Sequence, residues 1–97
     1  MSATGEVRRE NALRILVIED ERKLASAIAE GLEGNGYEVA LADTGETGIR
    51  QLRNAAFDLV LLDVMLPRQG GIETLREMRR SGFRTPVLIL TDRKSVV

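Results

Sequence analysis

Four short apolar runs alternate with three stretches whose apolar residues recur every three or four positions. The first run, Leu13 to Ile18, has a continuous apolar centre and predicts a strand. From about Arg22 to Asn35, the residues Leu24, Ile28 and Leu32 fall every four positions and predict a helix buried along that stripe. Gly34-Asn35-Gly36 ends it, since Gly and Asn tolerate a left-handed cap. Tyr37 to Ala42 is a second strand, and its opening alternation suits a sheet edge with one wet face. Asp43-Thr44-Gly45-Glu46 reads as an acid cap with a carboxylate three positions on. The helix it opens is expected to bury Ile49, Leu52 and Ala56. Leu59 to Leu62 is strand three, and Pro67 with Gly70-Gly71 makes the loop after it. Helix three carries Ile72, Leu75 and Met78 and stops near Ser81-Gly82. Pro86 precedes strand four, Val87 to Leu90.

The order β-α-β-α-β-α-β implies an α/β fold with a doubly wound parallel sheet. Strands one, three and four are apolar throughout, so each is expected to be covered on both faces. Covering strand four takes at least one helix beyond the three in the pattern.

Composition narrows the chemistry. The 97 residues suffice for one small domain. With no Cys there is no disulfide or thiol chemistry, which fits a reducing compartment. With no His the commonest general base and transition-metal ligand are missing, so any metal is held by oxygen, as suits Mg²⁺. A formal net charge of −1 gives no global field for nucleic acid. Lys23, Arg68, Arg76, Arg79 and Arg80 read as solvated charges. No apolar run approaches the roughly 20 residues of a membrane span, and the N-terminus lacks a signal-peptide core. A cytoplasmic location and no membrane partner are expected.

Two strands end in acid: strand one in Glu19-Asp20-Glu21 and strand three in Asp63. In an open parallel sheet, ligands bind beyond the carboxyl ends of the strands. Asp20 or Glu21 alone is explained equally well as a helix cap. Asp63 follows four apolar residues, and nothing in the next turn calls for an acid. Carboxylates about 4 Å apart repel by about 4 kcal/mol at an effective dielectric near 20, and a proton or a cation relieves that. Mg²⁺ is usually held by one or two carboxylates together with phosphate oxygens, and a carboxylate is itself a nucleophile toward phosphorus. Glu19 and Asp20 are therefore candidate holders of the ion, and Asp63 the candidate phosphoacceptor. Thr91, at the end of strand four, is either a β-branched strand residue or a hydroxyl donor to a phosphoryl oxygen.

These motifs resemble a response-regulator receiver domain of two-component systems. The resemblance rests on Ile15 to Glu21, on Asp58 to Pro67, on Gly71-Ile72 and on Pro86 to Thr91, and its wording is similar to the OmpR/PhoB-like class. It implies a flavodoxin-like sheet of order 2-1-3-4-5. It implies a sensor histidine kinase that phosphorylates Asp63. Mg²⁺ would be held by Glu19, Asp20, Asp63 and the Met65 backbone carbonyl. Thr91 would be the switch hydroxyl. The full-length protein would dimerise and act on DNA through an output domain, as a signalling protein rather than an enzyme.

The chain departs from the family pattern in places. Gly70 stands where Asp is frequent, and Asp92 where a small residue is usual. The family's fourth helix, fifth strand with its phosphoryl-pairing Lys, and fifth helix have no counterpart, so the sheet is expected to have order 2-1-3-4. Residues 1–12 read as a disordered lead-in and 13–91 as a partial receiver. Residues 92–97, back-translated as GAT CGG AAG AGC GTC GTG before a stop TAG, match a common sequencing adapter, and a non-native tail is expected. One rival is a pseudo-receiver that takes no phosphate. Another is a Mg²⁺ phosphotransferase of the Toprim or haloacid-dehalogenase kind, which wants a second acid two positions after the first, where this chain has Met65.

Overall fold

A computed structural model describes residues 12–66 and 70–90. The lead-in through residue 11, Pro67 and Arg68 of the loop after strand three, Thr91 and the tail lie outside the described residues. The elements are β1 (Arg14–Ile18), α1 (Arg22–Gly34), β2 (Glu38–Ala42), α2 (Gly45–Asn54), β3 (Leu59–Asp63), α3 (Gly71–Arg80) and β4 (Val87–Leu90). The sheet is parallel with order β2-β1-β3-β4. It matches the order expected, with β2 on an edge.

Strand alternation divides the core into two layers. On one face Leu16, Ile18, Val60 and Leu62 pack with Ile49 and Leu52 of α2 and Met78 of α3. On the other, Ile15, Val17 and Leu61 pack under Ile28 and Leu32 of α1. Side chains of this size each contribute about 1.5–3 kcal/mol when fully buried. β1 and β3 are thus buried on both faces. β4 is packed on one face through Val87 and Ile89, but on the other Leu88 is 56% exposed, as the need for a further helix implied. Among the described residues, α1 is the helix on that face, and it lies against β1 and β2. The half of the face over β4 is therefore uncovered.

Three helix readings need correction. In α1, Leu24 is exposed and Ala25 is buried. In α3, Ile72 is exposed while Gly71, Thr74 and Met78 are buried. In α2, Ala56 lies beyond the helix end and is exposed, and Gly45 and Gly48 take the buried positions. The cap of α2 is also displaced by one residue. Thr44, not Asp43, is the N-cap. Its hydroxyl accepts the Thr47 N–H at 3.0 Å, and the Thr47 hydroxyl accepts the Thr44 N–H at 3.2 Å. Two threonines thus complete a reciprocal capping box that a lone acid cannot. At the end of α1 the left-handed residue is Gly36, with φ 93°, and Asn35 stays at φ −103°.

The N-terminal edge of the sheet is stitched by Arg14. Its N–H donates to Asp58 Oδ2 at 2.8 Å, and its carbonyl accepts the Asp58 N–H at 2.8 Å. Its guanidinium lies 5.1 Å from the Phe57 ring centre and pairs with Glu38 at 3.5 Å. These exposed contacts are individually worth about 1 kcal/mol or less. Together they span β2, β1 and the approach to β3.

Candidate phosphoacceptor site

The register of β1 against β3 builds the site. Ile18 stands level with Leu62, so the next residues, Glu19 and Asp63, stand side by side at the ends of the two strands. Glu19 extends the ladder one step, its N–H donating to Ala42 O at 2.9 Å. Its carboxylate turns to accept the Glu21 N–H at 2.9 Å. Asp63 Oδ1 accepts the Met65 N–H at 3.0 Å. Each carboxylate is thus held by a backbone donor two residues on, an arrangement typical of acids in turns. Glu21 is the N-cap of α1 but makes no side-chain cap bond. The capping explanation of this acidic run therefore finds no hydrogen bond behind it.

Glu19, Asp20 and Asp63 bring carboxylate oxygens within 4.8 Å of one another. Glu19 and Asp63 are buried at 5% and 8% exposure, and Asp20 is open to water. At 4.8 Å two unit charges repel by about 3.5 kcal/mol in an effective dielectric near 20, and by less where Asp20 meets water. Burial pushes Glu19 above its ordinary 4.5; the Glu21 N–H opposes that, and the charges of Asp63, Asp20 and Glu21 push it further up. The group prefers a proton or a cation beside it. An all-oxygen donor set in a chain without His or Cys fits a hard ion such as Mg²⁺.

The sign of the pH dependence follows. The folded, metal-free protein holds the Glu19 proton more tightly than the unfolded chain does. Stability contributed by that proton is present below pH 4.5 and is lost as pH rises through the folded-state pKa. Glu19→Gln is expected to unfold at a higher temperature than wild type at pH 7 in EDTA. The two should converge below pH 4.5, and saturating Mg²⁺ should favour wild type. Thermal melts across pH check this, and identical metal-free melts at pH 7 would refute it.

Of the other sequence candidates, Met65 is exposed and its N–H orients Asp63. Thr91 lies outside the described residues. Gly71, which in the sequence stands only as a loop and motif residue, packs directly against the end of β3. Its N–H donates to Val64 O at 3.3 Å, and a β-carbon there would meet the Asp63 carbonyl oxygen and sit 2.6 Å from Val64 Cα. The contact depends on how α3 docks, which no local pattern encodes.

Comparison with known proteins decides the family. The model of the response regulator receiver domain matches residues 15–97. The chain belongs to the response regulator receiver family. The receiver is 43% identical over 79 residues to the transcriptional regulatory protein DltR of Streptococcus agalactiae, covering 81% of this chain and 35% of that protein. It is 42% identical over 84 residues to the response regulator MprA of Mycobacterium sp. strain KMS, covering 87% and 36%. The chain thus spans about a third of the length of these curated relatives. Among solved structures, the receiver domain of Francisella response regulator 1452 superposes with a TM-score of 0.79 at 30% identity, covering 87% of this chain and 69% of that one. The response regulator TrrA of Thermotoga maritima, solved in complex with Mg²⁺ and BeF, gives 0.77 at 31% identity, covering 87% and 76%. The flavodoxin-like fold and the assignment to two-component signalling stand. No helix among the described residues is long and apolar enough to cross a membrane.

Proposed function

We propose that this receiver is a phosphoacceptor, taking a phosphoryl group from the phosphohistidine of a sensor kinase onto Asp63. The observation that carries the reading is the meeting of Glu19, Asp20 and Asp63 at the ends of two adjacent strands, within 4.8 Å. Asp63 Oδ1 is engaged by the Met65 N–H, which leaves Oδ2 as the attacking oxygen. Glu19, Asp20 and Asp63, with the Met65 carbonyl, would hold Mg²⁺. The ion would offset the crowded carboxylates and the charge of the arriving phosphoryl group. Burial of Asp63 limits access of water, which slows loss of the acyl phosphate. Thr91 would turn its hydroxyl toward the phosphoryl group, and a Lys from a further strand would pair with it. By analogy with DltR and MprA, the full-length protein would control transcription, with phosphorylation biasing a dimerising surface.

The test uses the full-length protein, acetyl phosphate and mass spectrometry. One phosphoryl group is expected, on Asp63 and only with Mg²⁺. Asp63→Asn should abolish it, and Asp20→Asn should weaken Mg²⁺ binding. Labelling that survives Asp63→Asn refutes the assignment.

A further inference from the structure

Beside the acid pocket lies a cavity of about 580 Å³ that the phosphoacceptor reading leaves unused. Glu19 and Asp20 form one end of it, so it opens directly onto the site. Two cations line the rest, Arg22 at the start of α1 and Arg50 on α2. They come from different helices and converge because α1 and α2 flank the ends of β1 and β2. The ion pairs among the described residues are Arg14 with Glu38, Arg76 with Glu73 and Arg80 with Glu77. Arg22 and Arg50 are in none of them, so among the described residues neither guanidinium is within ion-pair distance of a carboxylate. Gln51, on the same wall, spends its amide N–H on Leu41 O at 2.7 Å and is fixed in place.

We propose that Arg22 and Arg50 are positioning residues that steer a doubly charged small phosphodonor into the acid pocket. The inference rests on Asp63 being the phosphoacceptor. Three carboxylates repel an incoming phosphate dianion until a cation offsets them. A divalent ion bound there leaves one of the three carboxylate charges over, and Asp43 adds a second. The two guanidiniums cancel both, so the groove is near neutral with them and doubly negative without them. The charge of a cleft changes the on-rate of a charged ligand by about 10- to 1,000-fold, and here the arginines act by removing repulsion of a dianion. The step they feed is balanced. An Asp63 carboxylate oxygen forms the new P–O bond, the bond from phosphorus to the acetyl oxygen breaks, and acetate leaves with that electron pair. No proton is exchanged.

The experiment measures second-order phosphorylation rates of the full-length protein with Mg²⁺, comparing acetyl phosphate, a dianion, with phosphoramidate, which carries one net negative charge. At low ionic strength, Arg22→Gln with Arg50→Gln should slow acetyl phosphate roughly tenfold and phosphoramidate clearly less. The gap should close near 1 M salt, where the screening length falls to about 3 Å. Arg→Lys at both positions should restore most of the rate, since steering needs charge rather than the guanidinium shape. The melting temperature should not change. Equal loss with both donors, insensitivity to salt, or no rescue by Lys overturns the proposal. So does a variant that slows transfer from a phosphorylated sensor kinase but not from acetyl phosphate, which would make the groove a reader of a protein surface. Unlabelled wild type would instead count against Asp63 itself, so the two failures are told apart.

Discussion

Replacing Gly71 by Ala is expected to destabilise the protein by about 3 kcal/mol and to slow phosphorylation of Asp63 at least tenfold. The added β-carbon would meet backbone, the Asp63 carbonyl and Val64 Cα, and not the end of a yielding side chain. Relief requires α3 to back away from the end of β3. That movement would break the long Gly71 to Val64 hydrogen bond and disturb the turn that presents the Asp63 carboxylate. Gly70 supplies the control. It is the N-cap of α3 with φ 70°, but a β-carbon there meets open space. Gly70→Ala should cost only the left-handed strain of about 1–2 kcal/mol and leave the phosphorylation rate nearly unchanged. Urea unfolding and acetyl phosphate kinetics on both variants check this. Wild-type behaviour of Gly71→Ala would show that α3 can shift without consequence for the site.

Gly71 also explains what the sequence hid. Strands were readable because continuous apolar runs ending in acid leave few alternatives, and the placements of Asp63, Glu19 and Asp20 followed from them. In the helices the stripes hold at Ile28, Leu32, Ile49, Leu52, Leu75 and Met78 and fail at Leu24, Ala56 and Ile72. Their contact with the sheet runs through small residues: Ala25 in α1, Gly45 and Gly48 in α2, Gly71 and Thr74 in α3. A β-carbon on Gly48 would sit 2.9 Å from Ile18 Cγ1, so α2 approaches β1 closely only because that atom is missing. Thr74 is wholly buried because its hydroxyl donates to Gly70 O at 2.7 Å. An apolar stripe counts Leu24 and Ile72 as core and gives no weight to Gly or Thr. Arg50 escaped notice for a different reason. Its place beside the acid pocket is created by topology alone.

The 97-residue chain expressed by itself is expected to self-associate and to lack a sharp unfolding transition. Among the described residues, β4 pairs only with β3, and Leu88 stands 56% exposed on a face where Leu90 is only partly covered. An open strand edge beside exposed leucine is a template for another chain. Light scattering should report species larger than a monomer, increasing with concentration. Leu88→Lys in the same chain should reduce that mass at little cost, since the position has little burial to lose. A monomer with a cooperative, concentration-independent melt would show that four strands and three helices suffice.

The bonds that flank the strands are not equally tight at the acidic end. Glu19 holds Ala42 at 2.9 Å, as short as the 2.8 Å from Asp58 to Arg14 and the 2.9 Å from Val60 to Pro86 at the other end. Val64 reaches Leu90 only at 3.4 Å. The slack at this end is therefore confined to the seam between β3 and β4, like a zip open at its last tooth. A change at Asp63 would meet least resistance along that seam, while β1 and β2 stay locked in register.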